Sequence, residues 1–142
     1  MYNMTPVYAQ KYDFSRFNVL AVDDIPLNLL LVQKMLSRFN FTLRSAANGQ
    51  QALDAVAEQK PDLILLDLMM PGIDGFEVIR RLRSDPATAD IQIVILSALN
   101  STEDVVKGFN AGANDFIMKP IIMEKLLTCV VTQMQVIEAK GK

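Results

Sequence analysis

Short apolar runs alternate along this chain with segments of helical periodicity, and this alternation constrains the fold more than any other feature. Five runs have the length and composition of strands, at residues 19–22, 41–45, 63–66, 91–96 and 115–118. Five further segments are predicted to be helices, at residues 26–39, 50–59, 76–83, 101–110 and 122–139. Because each strand is followed by a helix, we expect an α/β domain whose parallel sheet carries helices on both faces.

The bulk composition indicates one globular domain. The chain has 142 residues, of which 51% are hydrophobic and 21% charged, and this supplies enough apolar surface for a core. We assign residues 18–140 to the domain and residues 1–17, which hold Tyr2, Tyr8 and Tyr12, to an N-terminal extension. The extension lacks the apolar stretch of a signal peptide, and no run approaches the roughly 18 apolar residues of a membrane span.

Residue counts exclude several classes of function. A net charge of −2 gives no support for direct binding of nucleic acid. The absence of histidine excludes a Ser-His-Asp triad, a histidine-ligated zinc and a phosphohistidine on this chain. Cys129 is the single cysteine, which excludes an internal disulfide and favours a reducing, cytoplasmic setting. Any catalysis is therefore expected to rely on a metal and on electrostatics.

Charged residues follow the predicted strands at the points where the strands end. Asp23 and Asp24 follow the first strand, and Asp67 follows the third. Lys119 follows the fifth. Because ligands of open parallel sheets bind outside the carboxyl ends of the strands, we expect these groups to form an acidic pocket with one balancing cation. Such a pocket suits a hard divalent metal and a phosphoryl group.

Each of these residues also has a structural interpretation. A lone acid after a strand is often a turn former or a helix cap, and Asp67 alone would fit either role. However, Asp23 and Asp24 would repel Asp67 at close range unless a cation lay among them, and Mg²⁺ suits such a site. Lys119 could be a solvated loop lysine, but Pro120 follows it, and a cis peptide bond there would fix the loop.

Four segments together identify a family. They are Asp23-Asp24, the loop at residues 67–75, Ser97-Ala98 and Lys119-Pro120. Their sequences and spacings strongly resemble the receiver domain of bacterial response regulators, over residues 18 to about 135. The resemblance implies a flavodoxin-like, CheY-like (βα)5 fold, which is a doubly wound five-stranded parallel sheet with strand order 2-1-3-4-5.

The resemblance implies a role for each matching residue. Asp67 would accept a phosphoryl group from the phosphohistidine of a partner. Asp24, Asp67 and the backbone carbonyl of Met69 would ligate Mg²⁺, which Mn²⁺ could replace, and Asp23 would hold the metal through water. Lys119 would pair with a phosphoryl oxygen.

The resemblance also implies a conformational switch. Ser97 would move toward the phosphoryl group, and Phe116 would then turn inward and change the surface formed by the fourth helix, fifth strand and fifth helix. The implied partners are a sensor histidine kinase or a histidine phosphotransfer protein, with an output domain or a second copy on that surface. The protein would be a regulator that assists its own phosphorylation and dephosphorylation rather than an enzyme.

Departures from the family pattern are small. Ser97 stands where threonine is more frequent, and Phe116 replaces tyrosine, so that no hydroxyl group is available in the switched state. The resemblance places Met69 and Leu99 at the positions that, in this family, tune dephosphorylation by controlling the access of water to the phosphoryl group. Because both are bulky and apolar, we hypothesise slow self-dephosphorylation.

The last predicted helix carries more than one apolar stripe. Its apolar residues are Ile122, Met123, Leu126, Leu127, Val130, Val131, Met134, Val136 and Ile137. An inward stripe is expected to pack on the sheet, and the excess could cover a dimer or output surface.

Other interpretations remain open. An aspartyl-phosphate phosphatase would have a second acid where this chain has Met69. A receiver used purely for interaction would usually lack an acid or the lysine, and a flavin-binding relative would need a phosphate loop where Asp23 and Asp24 repel an anion. No output domain follows within these residues, so that we expect either a single-domain regulator or the receiver segment of a longer regulator or hybrid kinase.

Overall fold

A computed structural model describes residues 12–142 of the chain. The strands are β1 (Asn18–Val22), β2 (Thr42–Ala46), β3 (Leu63–Leu66), β4 (Gln92–Ser97) and β5 (Asp115–Met118). The helices are α1 (Pro26–Leu36), α2 (Gly49–Glu58), α3 (Gly75–Ser84), α4 (Thr102–Ala111) and α5 (Met123–Ala139). The predicted alternation of five strands with five helices is confirmed. Within the described residues, no helix combines the length and apolar character that a membrane crossing requires.

The strands form one parallel sheet in the order β2-β1-β3-β4-β5, as the resemblance implied. Val22 pairs with Leu66, and Leu66 pairs with Ile95, so that the carboxyl ends of the three central strands lie side by side. After β1 the chain builds β2 on one side, and it then returns to build β3 on the other. The strand order therefore reverses between β1 and β3, which is where ligand crevices form in open sheets.

Alternate residues of the sheet contribute to two apolar clusters. Val19 and Ala21 belong to the cluster that includes α1 and α5, whereas Leu20 and Val22 belong to the cluster that includes α2 and α3. Strand β3 is buried at every position of Leu63–Leu66. A strand covered on both faces needs apolar residues throughout, and this explains its continuous hydrophobic sequence.

Side-chain caps determine where three helices begin. Asn48, Asp74 and Ser101 each accept a hydrogen bond from a backbone amide in the first turn that follows. Each cap lies just outside its helix, because its own backbone is extended. Helix α4 therefore begins at Thr102, one residue later than predicted, since Ser101 is its cap.

Among the other boundaries that differ from the prediction, two have a clear local reason. Helix α1 ends at Leu36, and a 3-10 turn occupies Ser37–Phe39, where the sequence predicted a continuous helix. Asn40 then adopts a left-handed conformation, with φ of 61°, which turns the chain toward β2. Strand β4 begins one residue later than predicted, because the amide of Ile91 donates to Thr88 at 3.2 Å within the preceding turn.

The segment before β1 packs on the domain. Phe14 and Phe17 are buried in the cluster beside α1 and α5, and the amide of Phe14 donates to Phe39 at 3.0 Å. The ring of Tyr12 stacks on that of Phe14 with centroids 5.5 Å apart. Arg16 forms an ion pair with Glu138 near the end of α5. The core thus includes residues of the predicted extension, whose residues 1–11, with Tyr2 and Tyr8, lie outside the described part.

Candidate functional site

Three acidic residues meet where the strand order reverses. Backbone hydrogen bonds continue past the ends of β1 and β3. The amide of Asp67 donates to the carbonyl of Val22 at 3.0 Å, and the amide of Asp23 donates to the carbonyl of Ala46 at 3.1 Å. These bonds fix the backbone that carries the acids. Carboxylate oxygens of Asp23, Asp24 and Asp67 lie within 4.8 Å of one another. Asp23 and Asp67 are buried, whereas Asp24 is exposed.

Asp23 is held by three donors. Its Oδ1 accepts from the amide of Ile25 at 2.9 Å, and its Oδ2 accepts from Nδ2 of Asn28 at 3.1 Å and from Nζ of Lys119 at 2.9 Å. The carboxylate therefore has a fixed orientation. Asn28, in the first turn of α1, was not predicted as a site residue. The available signal was an amide side chain within one helical turn of the Asp23-Asp24 pair.

Asp67 is less fully hydrogen-bonded. Its Oδ1 accepts from the amide of Met69 at 3.2 Å, and its Oδ2 lies 3.6 Å from Nζ of Lys119. The latter distance is that of an ion pair rather than of a good hydrogen bond. One oxygen of Asp67 thus faces a cation while keeping capacity for another partner.

The electrostatics of the pocket disfavour the ionised form of Asp67. Burial raises the pKa of Asp67 above its ordinary value, and the charges of Asp23 and Asp24 raise it further. The ammonium group of Lys119 and the amide of Met69 act in the opposite direction without cancelling the rise. A cation placed among the three carboxylates would relieve this cost.

The donor set fits a hard divalent cation. Three carboxylates offer oxygen ligands within one small volume, and the chain contains no histidine. Oxygen ligands with room for water are what Mg²⁺ prefers, and Mn²⁺ accepts the same set. The residues expected to hold the metal by their side chains, Asp23, Asp24 and Asp67, are therefore brought together.

Lys119 and Ser97 lie at the same edge of the sheet. The amide of Lys119 donates to the carbonyl of Ser97 at 2.8 Å, which joins the ends of β4 and β5. The bond from Lys119 to Pro120 is cis. Ser97 is fully buried, and its hydroxyl oxygen accepts from the amide of Leu99 at 3.2 Å.

The other predicted residues surround this edge. Phe116 is half-buried and belongs to the cluster beside α3, where it pairs across the strands with Ile95. The side chain of Met69 is 56% exposed. Met69 and Leu99 line the same surface cleft of about 460 Å³, so that both side chains lie beside the loop that follows Asp67.

An apolar surface next to the acids was not predicted. A cavity of about 500 Å³ has Asp23, Asn28 and Lys119 among its polar lining, and its apolar lining comes from α1, β4 and the loop after β5. Outside it, Leu27 and Leu30 of α1 are 61% and 46% exposed. The acidic pocket is thus bordered by a surface on which an apolar partner could pack.

Comparisons with known proteins agree on one family. A family model described as the response regulator receiver domain matches residues 19–131. The response regulator PleD of Caulobacter vibrioides is 44% identical over 103 residues, which cover 72% of this chain and 23% of PleD. The DNA-binding response regulator MtrA of Mycolicibacterium smegmatis is 42% identical over 118 residues, which cover 83% of this chain and 50% of MtrA. The chain therefore spans half or less of the length of these two relatives.

A solved structure has the same architecture. The signal receiver domain of a signal transduction histidine kinase from Syntrophus aciditrophicus superimposes with a TM-score of 0.78 and 29% sequence identity. The match covers 84% of this chain and 90% of that domain.

Proposed function

Because the chain belongs to the family of response regulator receiver domains, we propose that it is a phosphoaccepting switch in which Asp67 takes the phosphoryl group. The environment of Asp67 supports this most directly. Its Oδ2 faces Nζ of Lys119 at 3.6 Å, and oxygens of Asp23 and Asp24 lie within 4.8 Å of its own. A nucleophile, a cation for the phosphoryl oxygens and a set of metal ligands thus share one pocket.

The chemistry is an in-line transfer. An oxygen of Asp67 attacks the phosphorus atom of a phosphohistidine, and an O–P bond forms while the P–N bond breaks and the imidazole leaves with its electron pair. Lys119 pairs with a phosphoryl oxygen. Mg²⁺ held by Asp24, Asp67 and the carbonyl of Met69, with Asp23 acting through water, would supply further charge neutralisation.

Asp23 serves in this scheme as a fixed element. Its bonds to the amide of Ile25 and to Asn28 orient the carboxylate, and its 2.9 Å contact with Lys119 holds the ammonium group close to Asp67. The positions of charges around the reacting oxygen are thereby set before a phosphodonor arrives. Such preorganisation is the main contribution a protein makes to phosphoryl transfer.

The phosphohistidine must lie outside this chain, because these 142 residues contain no histidine. We assign that role to a sensor histidine kinase or a histidine phosphotransfer protein. The apolar surface beside the acids supports this, since Leu27 and Leu30 and the neighbouring cavity can pack against a partner's helix. The free, buried thiol of Cys129 suits a reducing compartment, and we place the pathway in the cytoplasm.

The output is a change on the surface formed by α4, β5 and α5. Phosphorylation draws Ser97 toward the phosphoryl group, and Phe116 turns inward. This surface carries several exposed apolar side chains, namely Val106, Phe109, Met118, Ile122, Met123 and Val136. Their exposure supports its use for an output domain or a second copy of the chain.

Intact-mass measurement tests the proposal. We expect incubation with acetyl phosphate to add one phosphoryl group to the protein when Mg²⁺ is present, and none when the metal is chelated. Asp67→Asn should abolish the adduct, while Asp54→Asn, on the exposed face of α2, should not. A folded wild-type protein that gains no phosphoryl group from acetyl phosphate or from a phosphohistidine donor would favour a receiver that only binds partners.

A further inference from the structure

Gly108 occupies a position in α4 where a larger residue does not fit. It lies inside the helix and is buried, although glycine is one of the least favourable residues within a helix. A β-carbon at this position would lie 2.8 Å from Cδ1 of Ile95 and 3.3 Å from Cδ2 of Phe116. The bare backbone of α4 is therefore the surface against which the Phe116 ring packs.

Phe116 lies on β5, an edge strand of the sheet. It lines a cleft of about 480 Å³ together with Ile122, Lys125 and Thr128. That cleft lies toward α5, and none of its lining residues belongs to α4. Phe116 thus has a close neighbour at Gly108 and an open cleft next to its own strand.

This contact lies in the same layer as Ser97. Ile95 and Ser97 are two residues apart on β4, so that their side chains leave the same face of the sheet. Ile95 also pairs with Phe116 across β4 and β5. If Ser97 moves, it therefore moves next to the space that Ile95, Phe116 and Gly108 share.

We propose that Gly108 is a positioning residue for the switch. Because Gly108 has no side chain, the Phe116 ring can pack directly against α4. This packing sets how readily the ring responds to phosphorylation of Asp67. This inference rests on the proposed function, in which Phe116 relays phosphorylation. A methyl group at position 108 takes up space next to the ring and displaces the ring from its present position. It thereby uncouples the α4–β5–α5 surface from the acidic pocket without touching the pocket.

A melting-temperature cycle tests the contact. Gly108→Ala should lower the melting temperature of the full chain, although alanine is the better helix former. In a Phe116→Ala background the same change should have a much smaller effect or raise the melting temperature, because the clash with the ring is gone. Phe116→Leu is the milder background if Phe116→Ala does not fold. An equal loss in every Phe116 background would overturn the proposed contact.

The other neighbour, Ile95, needs its own background. Ile95→Val deletes Cδ1, the atom that would lie 2.8 Å from the new β-carbon. We expect Ile95→Val to relieve Gly108→Ala less than removal of the Phe116 ring does, since the flexible tip of an isoleucine adjusts at little cost, whereas the rigid ring must shift as a whole. Full relief by Ile95→Val alone would assign the constraint to Ile95 and overturn the proposal.

Ring resonances test the role in switching. In protein with isotope-labelled phenylalanine, we expect Mg²⁺ and beryllofluoride, a phosphoryl mimic, to shift the Phe116 signals. Gly108→Ala should move these signals before any addition and reduce the further shift to roughly half or less. Phosphoryl uptake at Asp67 should stay unchanged. Asn110→Ala, at an exposed position of the same helix, should behave like the wild type.

The outcomes separate the two claims. A wild-type ring that does not respond to beryllofluoride would overturn the switch in the proposed function, and the role of Gly108 with it. A normal wild-type response that is unchanged in Gly108→Ala would overturn the role of Gly108 alone.

Discussion

The pocket around Asp67 disfavours ionisation of its carboxyl group. Burial and the neighbouring charges of Asp23 and Asp24 raise its pKa, so that the folded state binds a proton more tightly than the unfolded chain does. Stability must then fall as pH rises from the ordinary aspartate value through the raised one, and the full penalty applies above that window. At neutral pH the metal-free protein carries this cost.

Asp67→Asn should therefore stabilise the metal-free protein. We expect its melting temperature at pH 7 to exceed that of the wild type by a few degrees, with the difference shrinking as pH falls toward the ordinary aspartate pKa. Mg²⁺ should raise the melting temperature of the wild type more than that of the variant, because binding to the folded state is lost with the ligand. Thermal scans measure both effects.

The exposed Asp54 is the matched control, since Asp54→Asn removes the same charge outside the pocket and should change neither result. A metal-free Asp67→Asn protein that melts below the wild type at pH 7 would contradict the electrostatic cost assigned to the ionised Asp67.

Met69 bears on how long a phosphoryl group survives. Its side chain is large, apolar and 56% exposed, and we expect it to limit the approach of water to Asp67. We expect Met69→Asn to shorten the lifetime of the phosphorylated protein several-fold, because a polar side chain can admit and orient water. Loss of the adduct mass over time measures the lifetime. Met118→Asn, an exposed methionine on β5, is the control, and a wild-type lifetime of seconds would contradict slow dephosphorylation.

At the scale of elements, the side chain of Arg83 joins α3 to the two segments that lead into β4 and β5. From the last turn of α3, its guanidinium donates to the carbonyls of Gly112 at 2.8 Å, Ile91 at 2.6 Å and Ala89 at 3.0 Å, and to Oδ1 of Asn114 at 2.9 Å. The starts of β4 and β5 are thereby tied to α3. A planar fork of donors is needed to reach all four acceptors.

If a positive charge alone were enough to hold these segments together, Arg83→Lys would be as stable as the wild type, and we expect that it is not. We expect both Arg83→Lys and Arg83→Ala to lower the free energy of unfolding by about 2 to 4 kcal/mol, with lysine recovering little. Denaturant titration measures this. Arg80→Lys is the control, since Arg80 is exposed on the same helix and pairs with Glu77. A lysine variant as stable as the wild type would show that one donor is enough.

The elements themselves were largely predictable, for identifiable reasons. Strand β3 was placed to the residue because both faces are buried and its apolar run has sharp ends. The end of α1 was missed because the apolar spacing continues through Phe39, although the backbone tightens into a 3-10 turn after Leu36. Periodicity reports which face is buried, and it does not report the hydrogen-bond pattern that ends a helix.

For the site, the sequence likewise predicts which residues share an edge of the sheet, but not which side chains touch across packed elements. Asp23, Asp24 and Asp67 could be placed together because parallel strands end at one edge. Asn28 could not, because its contact with Asp23 depends on how α1 is rotated against the sheet. The contact of Gly108 with Phe116 depends likewise on how closely α4 approaches β5.

At the scale of the whole molecule, both ends of the described chain close the same side of the domain. Phe14 and Phe17 are 5% and 0% exposed, and the guanidinium of Arg16 lies 4.5 Å above the ring of Phe17 while it pairs with Glu138. Residues 12–17 precede the region that the family model matches. They nonetheless supply part of the core beside α1 and α5.

A truncation series should locate the start of the folding unit. A chain that begins at residue 18 should be less stable than one that begins at residue 12 by about 3 to 6 kcal/mol, the contribution of two buried phenylalanines. Denaturant unfolding of the two fragments makes the comparison. Equal stability would instead support a domain that begins at residue 18.

The proposed phosphoryl transfer depends on which carboxylate accepts the phosphoryl group. Borohydride reduces an acyl phosphate to the alcohol, so that reduction after phosphorylation, followed by peptide mapping, identifies the modified residue. We expect homoserine at position 67, only when Mg²⁺ and a phosphodonor were both present. Modification at Asp23 or Asp24 with Asp67 intact would contradict the assignment of Asp67 as the phosphoacceptor.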